Sequence, residues 1–152
     1  MRRKKPSRMT DREFDRFLDE RIGDFLAIPL GGKYCFGRIV RNGYLACYDA
    51  ISDTVLAPET VAATPVLFIV GVNYDEFVSD RWKVIGHKPL EARFDRPKKF
   101  YRKDIITGAI DIYFEGKFMP VTDEDISKLE ELAAWSADNV EARLRKHFGI
   151  KS

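Results

Sequence analysis

The sequence predicts a single α+β domain: a strongly bent, mostly antiparallel sheet or a small, partly open barrel, with a short N-terminal helix and a long C-terminal helix. Three observations carry that prediction. At 152 residues, 45% hydrophobic and 33% charged, the chain suits one globular domain. A chain of this length buries roughly two-thirds of its unfolded surface without a disulfide or metal staple. Residues 24–121 break into short apolar runs punctuated by Gly, Pro and Asn-Gly, while both flanks show helical spacing.

Residues 1–9 hold Arg2, Arg3, Lys4, Lys5 and Arg8 without an acid and read as a disordered basic arm, leaving 10–150 as the domain. Over 10–22, Phe14, Phe17, Leu18 and Ile22 recur at helical spacing. Thr10 with Glu13 forms a capping box, and Gly23 suits the stop. Residues 24–30 read as a strand whose Pro29 belongs at an edge or bulge, and Gly31-Gly32 turns the chain. Asn42-Gly43 between the strand-like runs 33–41 and 44–49 is the signature of a two-residue type I′ hairpin. That turn pairs Arg41 with Tyr44 and sets Cys47 opposite Arg38 and Cys35 opposite Ala50. The two thiols then fall on opposite faces and stay unpaired, as suits a reducing compartment.

Residues 52–63 read as a loop or distorted strand. The most apolar segment, 64–74, is expected to be the central strand, buried on both faces. Residues 75–80 make one helical turn, 82–90 a strand with a bulge at Gly86, and 94–104 a basic irregular stretch. Residues 109–114 and 117–121 flank Glu115-Gly116 as a second hairpin with Ile110, Ile112 and Phe114 on its core face. The spacing of Ile126, Leu129, Leu132, Ala133, Val140, Leu144 and Phe148 predicts one helix over 123–148, capped by Thr122 and ended by Gly149.

The formal charge of +2 is unevenly placed, because without the arm's five cations the chain has 21 basic against 24 acidic residues. No run reaches the roughly 18 apolar residues of a membrane span. The basic N-terminus lacks the apolar stretch of a secretory signal, so the expected address is cytoplasmic, with no membrane partner.

Chemistry-bearing motifs are sparse. There is no HExxH, no metal-ligand spacing of Cys or His and no GxSxG elbow. The chain is therefore read as no enzyme, with no catalytic residue, metal or cofactor. His147 fits the negative end of a helix dipole, and His87 is a lone strand histidine. Gly31-Gly32-Lys33 joins two strands and is a turn, not a phosphate loop.

Two regions concentrate charge. Residues 81–103 hold nine cations against Glu91 and Asp95, interleaved with Trp82, Phe94, Phe100 and Tyr101. Cations among rings could serve single-stranded nucleic acid, which makes a small nucleic-acid-binding barrel the alternative function. Strand alternation instead favours aromatics facing the core beneath an outer coat of Lys and Arg. The second region is acidic: Asp123, Glu124, Asp125, Glu130, Glu131, Asp138 and Glu141, with Asp49, Asp53, Asp75, Glu76 and Asp80 near strand ends. An acidic face suits a cationic protein partner.

Two strings carry a resemblance. Residues 23–30 (GDFLAIPL), Tyr34 and Phe36-Gly37-Arg38-Ile39-Val40 form the first; Leu67-Phe68-Ile69-Val70-Gly71-Val72 and residues 81–90 (RWKVIGHKPL) form the second. Together, over roughly 23–120, they resemble the bacterial immunity protein 26 family. The resemblance implies an immunity protein of a polymorphic toxin system, a cytoplasmic inhibitor in bacterial competition. It would bind and neutralise a cognate toxin domain by direct contact. It supplies no catalytic residue. It implies that Phe36, Gly37, Trp82, Gly86 and Pro89 are scaffold. The contact set expected from charge and position is Asp49, Asp53, Tyr74, Asp75, Glu76, Glu130, Glu131 and Asp138.

Overall fold

The computed structural model describes residues 9–151, so the basic residues of the expected arm lie outside the described part. Met9 packs at the margin of the core and belongs with the domain. Helix α1 (Asp11–Arg21) starts where expected, with the Thr10 hydroxyl accepting from the Glu13 N–H at 3.2 Å. Five strands follow: β1 (Asp24–Pro29), β2 (Tyr34–Ile39), β3 (Leu45–Ser52), β4 (Val66–Val72) and β5 (Lys83–His87). Two short helices interrupt them, α2 (Pro58–Ala62) and α3 (Asp75–Val78). Then come β6 (Phe100–Lys103), β7 (Ile110–Phe114), β8 (Lys117–Pro120), β9 (Glu130–Glu131), β10 (Ala134–Trp135) and α4 (Ala137–Phe148).

The strands form two open sheets rather than a closed barrel, in the orders β10-β4-β3-β2-β1-β5 and β8-β7-β6-β9. All pairings are antiparallel except β10 on β4 and β9 on β6. Register shifts in the β1–β5, β2–β3 and β3–β4 ladders bend the larger sheet, one of them beside Gly86. Leu30 donates to the Lys33 carbonyl at 2.8 Å, so Pro29, one residue earlier, turns its donorless nitrogen to the side where β5 has already ended.

The larger sheet is covered on both faces. Leu26 and Ile28 of β1 face the layer under α1 and α4, with Trp82, Val140 and Leu144. Phe25 and Ala27 face the opposite layer, with Phe36, Tyr48, Val61 and Phe94. Burial on both faces is why these strands read as continuous apolar runs instead of alternating ones.

Several local expectations are corrected. Residues 40–44 form a wider loop with a 3₁₀ turn, Asn42 at φ 65° and Gly43 at φ 73°, and Ile39 faces Leu45. Cys47 therefore lies opposite Gly37, not Arg38, and Cys35 opposite Ile51. Side chains two apart share a face, so both thiols point into the same core layer. They are free and fully buried, and burial pushes the Cys35 thiol up to about 12 and raises Cys47 as well. Segment 52–63 contains α2, with Pro58 in its first turn. Strand β4 is not central; it sits second from the edge, covered by β10.

The helix expected over 123–148 is also divided. Asp125 caps a 3₁₀ turn over Ile126–Lys128, and the chain then lays β9 and β10 along the open edges of β6 and β4. Leu132 donates to the Tyr101 carbonyl at 2.7 Å and Asn73 to the Trp135 carbonyl at 2.9 Å. Covering two strand edges outweighs the local helical pattern. The helix begins after Ser136, whose hydroxyl accepts from the Asn139 N–H, and ends at Gly149 with φ 68°.

Candidate partner-binding surface

Of the residues expected to be scaffold, Phe36, Gly37 and Trp82 are buried, Gly86 is half-buried and Pro89 is exposed. Phe36 is inaccessible to solvent, and a Cβ on Gly37 would lie 2.8 Å from Leu45 Cδ1. Gly86 rests against the Pro58 ring with no space for a Cβ. The carbonyls of Lys88 and Pro89 accept from Arg38 Nη2 at 2.8 and 3.0 Å. Arg38 was not singled out by sequence reasoning and is the most consequential of the group. It is fully buried, bonds Glu91 through Nη1, and stacks over the Phe25 ring at 4.3 Å. A lone arginine between apolar neighbours in Phe36–Val40 was the signal available. Burial raises the Glu91 carboxyl, but its own backbone N–H and the Arg38 guanidinium outweigh burial and hold it below the ordinary range.

A second buried acid fixes α4. Glu141 accepts from Trp82 Nε1 at 3.0 Å and from Arg81 Nε and Nη2 at 2.7 and 3.0 Å. Arg81 also reaches Asp138 at 2.6 Å. Trp82 thus fills the core with its indole N–H satisfied by the helix packed over it.

The seven acids of the expected contact set divide into two groups. Four acids already face a basic side chain of this chain: Asp49 meets His147 Nε2 at 3.2 Å, Asp53 meets Lys33 at 2.5 Å, Glu130 takes a two-bond fork from Arg143, and Asp138 meets Arg81. Asp75, Glu76 and Glu131 have no ion-pair partner among the described residues. Tyr74 is buried, its ring packed edge-on against Phe14 with centroids 4.2 Å apart.

Tyr74 also lines a cleft of about 710 Å³ that opens between the two sheets. Tyr44 and Gly71 line it on the side of the larger sheet and Phe100 and Tyr113 on that of the smaller, and Leu132, next to Glu131, also lines it. A smaller groove of about 260 Å³ continues past Arg41 and Lys98 along β4. Of the aromatics in 81–103, Trp82, Phe94 and Phe100 are buried, as strand alternation indicated, and Tyr101 is half-buried.

Both histidines sit in acid pairs, His87 Nδ1 lying 2.8 Å from Asp24 Oδ1. Among the described residues, no group of three or more His, Cys, Asp or Glu side chains is arranged to hold a metal ion. No described helix is long and apolar enough to cross a membrane.

Among curated proteins and among solved structures, nothing matches the chain. The family description "Immunity protein 26" matches residues 21–109. That span runs from the end of α1 through β6 and takes in the Arg38 anchor, the bulge at Gly86 and Trp82. More than half of the sequence, including five of the six strands of the larger sheet, thus fits one family pattern, and the chain belongs to the immunity protein 26 family.

Proposed function

We propose that this protein neutralises a cognate polymorphic toxin domain by binding it directly, acting by occlusion and not by catalysis, in the cytoplasm of the toxin-producing cell and its kin. The observation that carries this reading is the immunity protein 26 match over residues 21–109. Two features of the fold support it. Most residues of the first string, together with Phe68, Val70, Val72 and Trp82 of the second, are buried, as befits a rigid scaffold that presents a surface. Asp75, Glu76 and Glu131 have no ion-pair partner among the described residues and are the acids best suited to a cationic toxin surface, such as that of a nuclease. Asp49, Asp53, Glu130 and Asp138 would have to exchange an internal partner to join them. Burial of Trp82, Phe94 and Phe100 removes most of the rings that a nucleic-acid platform over 81–103 would stack on, which favours a protein partner.

The test is to look for a large secreted protein with a toxin-like C-terminal domain encoded beside this chain and to co-express that domain with it. Cells that carry both are expected to survive, with the two proteins purifying as one complex. Undiminished toxicity, or survival without a complex, would overturn the proposal.

A further inference from the structure

The turn between β6 and β7 presents two large apolar side chains to water. Ile105 is 99% exposed and Ile106 94%. Turn tips ordinarily carry Gly, Asn, Asp or Ser, so an exposed isoleucine pair is out of place chemically. The tip is held firmly. Asp104 Oδ1 accepts from the Ile106 N–H at 2.8 Å and the Thr107 N–H at 3.0 Å. The Asp104 N–H donates to the Ala109 carbonyl at 2.8 Å, the Gly108 N–H to the Asp104 carbonyl at 2.9 Å, and the Ala109 N–H to the Thr107 hydroxyl at 3.2 Å. Isoleucine is stiff at χ1, so a pinned backbone presents both side chains with little conformational entropy left to lose.

Further exposed apolar side chains lie in the same small sheet, Phe118 among them beneath the Arg102 guanidinium. Four of the seven large exposed hydrophobics among the described residues lie in this small sheet or in the segments flanking its strands: Ile105, Ile106, Phe118 and Val121. Pro120 pairs with Asp111, which brings Val121 to the end of the sheet that carries the tip. Clustered exposed apolar groups mark interaction sites where scattered ones do not. At the base of the turn, Lys103 is exposed and has no ion-pair partner among the described residues, whereas Arg102 is taken by Asp111 at 2.6 Å.

We propose that this turn is the apolar anchor of the complex: Ile105 and Ile106 enter an apolar pocket on the toxin domain, and Lys103 meets an acidic group on the pocket's rim. The inference rests on the neutralisation reading above and names the surface that performs it. A protein pocket fits better than a lipid surface, because a bilayer would have to accept the Asp104 carboxylate beside the pair. The turn 104–109 also contains no Trp or Tyr of the kind that anchors at membrane interfaces.

The experiment measures binding of the full chain to the same toxin domain by calorimetry, for wild type and for Ile105→Ser/Ile106→Ser. Side chains this exposed make almost no internal contact, so the double variant is expected to melt like wild type. It is expected to lose about 100-fold or more in affinity, the loss of two buried apolar anchors. Val55→Ser, at a side chain 49% exposed elsewhere on the surface, is expected to change nothing. Ile105→Val/Ile106→Val is expected to retain most of the binding. Unchanged affinity in the serine variant would overturn the inference while leaving neutralisation intact. Failure of wild type to bind would overturn both, and the survival assay reports that failure separately. Co-sedimentation of wild type, but not of the serine variant, with phosphatidylglycerol vesicles would make the tip a lipid anchor and overturn the inference. A wild-type dimer that the serine variant splits would assign the tip to a second copy of this chain and overturn it too.

Discussion

At the scale of single residues, Arg38 sets the largest local dependence. Its guanidinium serves Glu91 and the carbonyls of Lys88 and Pro89, drawing the strand-free segment 88–91 onto the larger sheet. Arg38→Met would leave those part-buried carbonyls without their donor and Glu91 without its partner, so we expect a loss of about 2–3 kcal/mol in urea unfolding. Glu91→Gln should cost much less, about 1 kcal/mol, because the Glu91 side chain is 43% exposed and water can replace its partner. Equal stability of Arg38→Met and wild type would refute this account. Gly86 poses a purely steric test, since its φ is not positive and the obstacle is the Pro58 ring. Gly86→Ala is expected to destabilise by about 1–3 kcal/mol, and Pro58→Ala in the same chain should recover part of that. These two residues also show what sequence could reveal. Gly86 was legible as a bulge because a glycine inside an apolar strand has few other uses. Arg38 was not, because nothing local announces that a strand cation will find carbonyls 50 and 51 residues away.

At the scale of elements, legibility followed locality. Helix α1 and the Glu115-Gly116 hairpin are encoded within a few residues, by a cap and by two positive-φ positions, and both form as expected. The 40–44 loop kept its Asn-Gly signal but gained two residues before it and one after, which shifts the β2–β3 register by one. The thiols of Cys35 and Cys47 consequently share a layer. Residues 129–135 failed most clearly, because a helical periodicity was overridden by two strand edges that lie far away in sequence. The position of the α4 start is directly testable. Ser136→Ala should cost about 1 kcal/mol, the value of a lost N-cap. Thr122→Ala should stay within about 0.5 kcal/mol, as for an ordinary surface change. The reverse ranking in thermal melts would restore the longer helix. The candidate surface was legible only in part. Free acids can be counted in a sequence, but whether Asp138 or Glu130 is already engaged depends on where Arg81 and Arg143 are brought by the fold.

At the scale of the whole molecule, acid couples to stability through carboxylates held below their ordinary values. Backbone N–H bonds, chiefly from Thr122, hold Glu124 down at about 2, with Lys99 assisting at 3.3 Å, and Glu91 is depressed as described. A depressed folded pKa contributes stability that is fully present above the ordinary glutamate value of about 4.3. That stability drains away as pH falls toward about 2, where Glu124 titrates in the folded protein. The urea midpoint should therefore be flat from neutral pH to about 5 and decline below it, and a midpoint unchanged between pH 7 and pH 3 would sink this assignment. The strands β9 and β10 carry a different consequence, one about time. Each joins residues distant in the chain, Glu130 to Phe100 and Ala134 to Gly71, by a ladder only two residues long. Residues 130–135 leave the ribosome after every other strand has been made. During synthesis, β4 and β6 must therefore wait with open edges until the last moments of translation, the interval in which unpaired strands recruit one another between chains. A chain released early, before residue 130, would carry nearly all of its sheet and none of its closure, and its fate would be aggregation, not partial immunity.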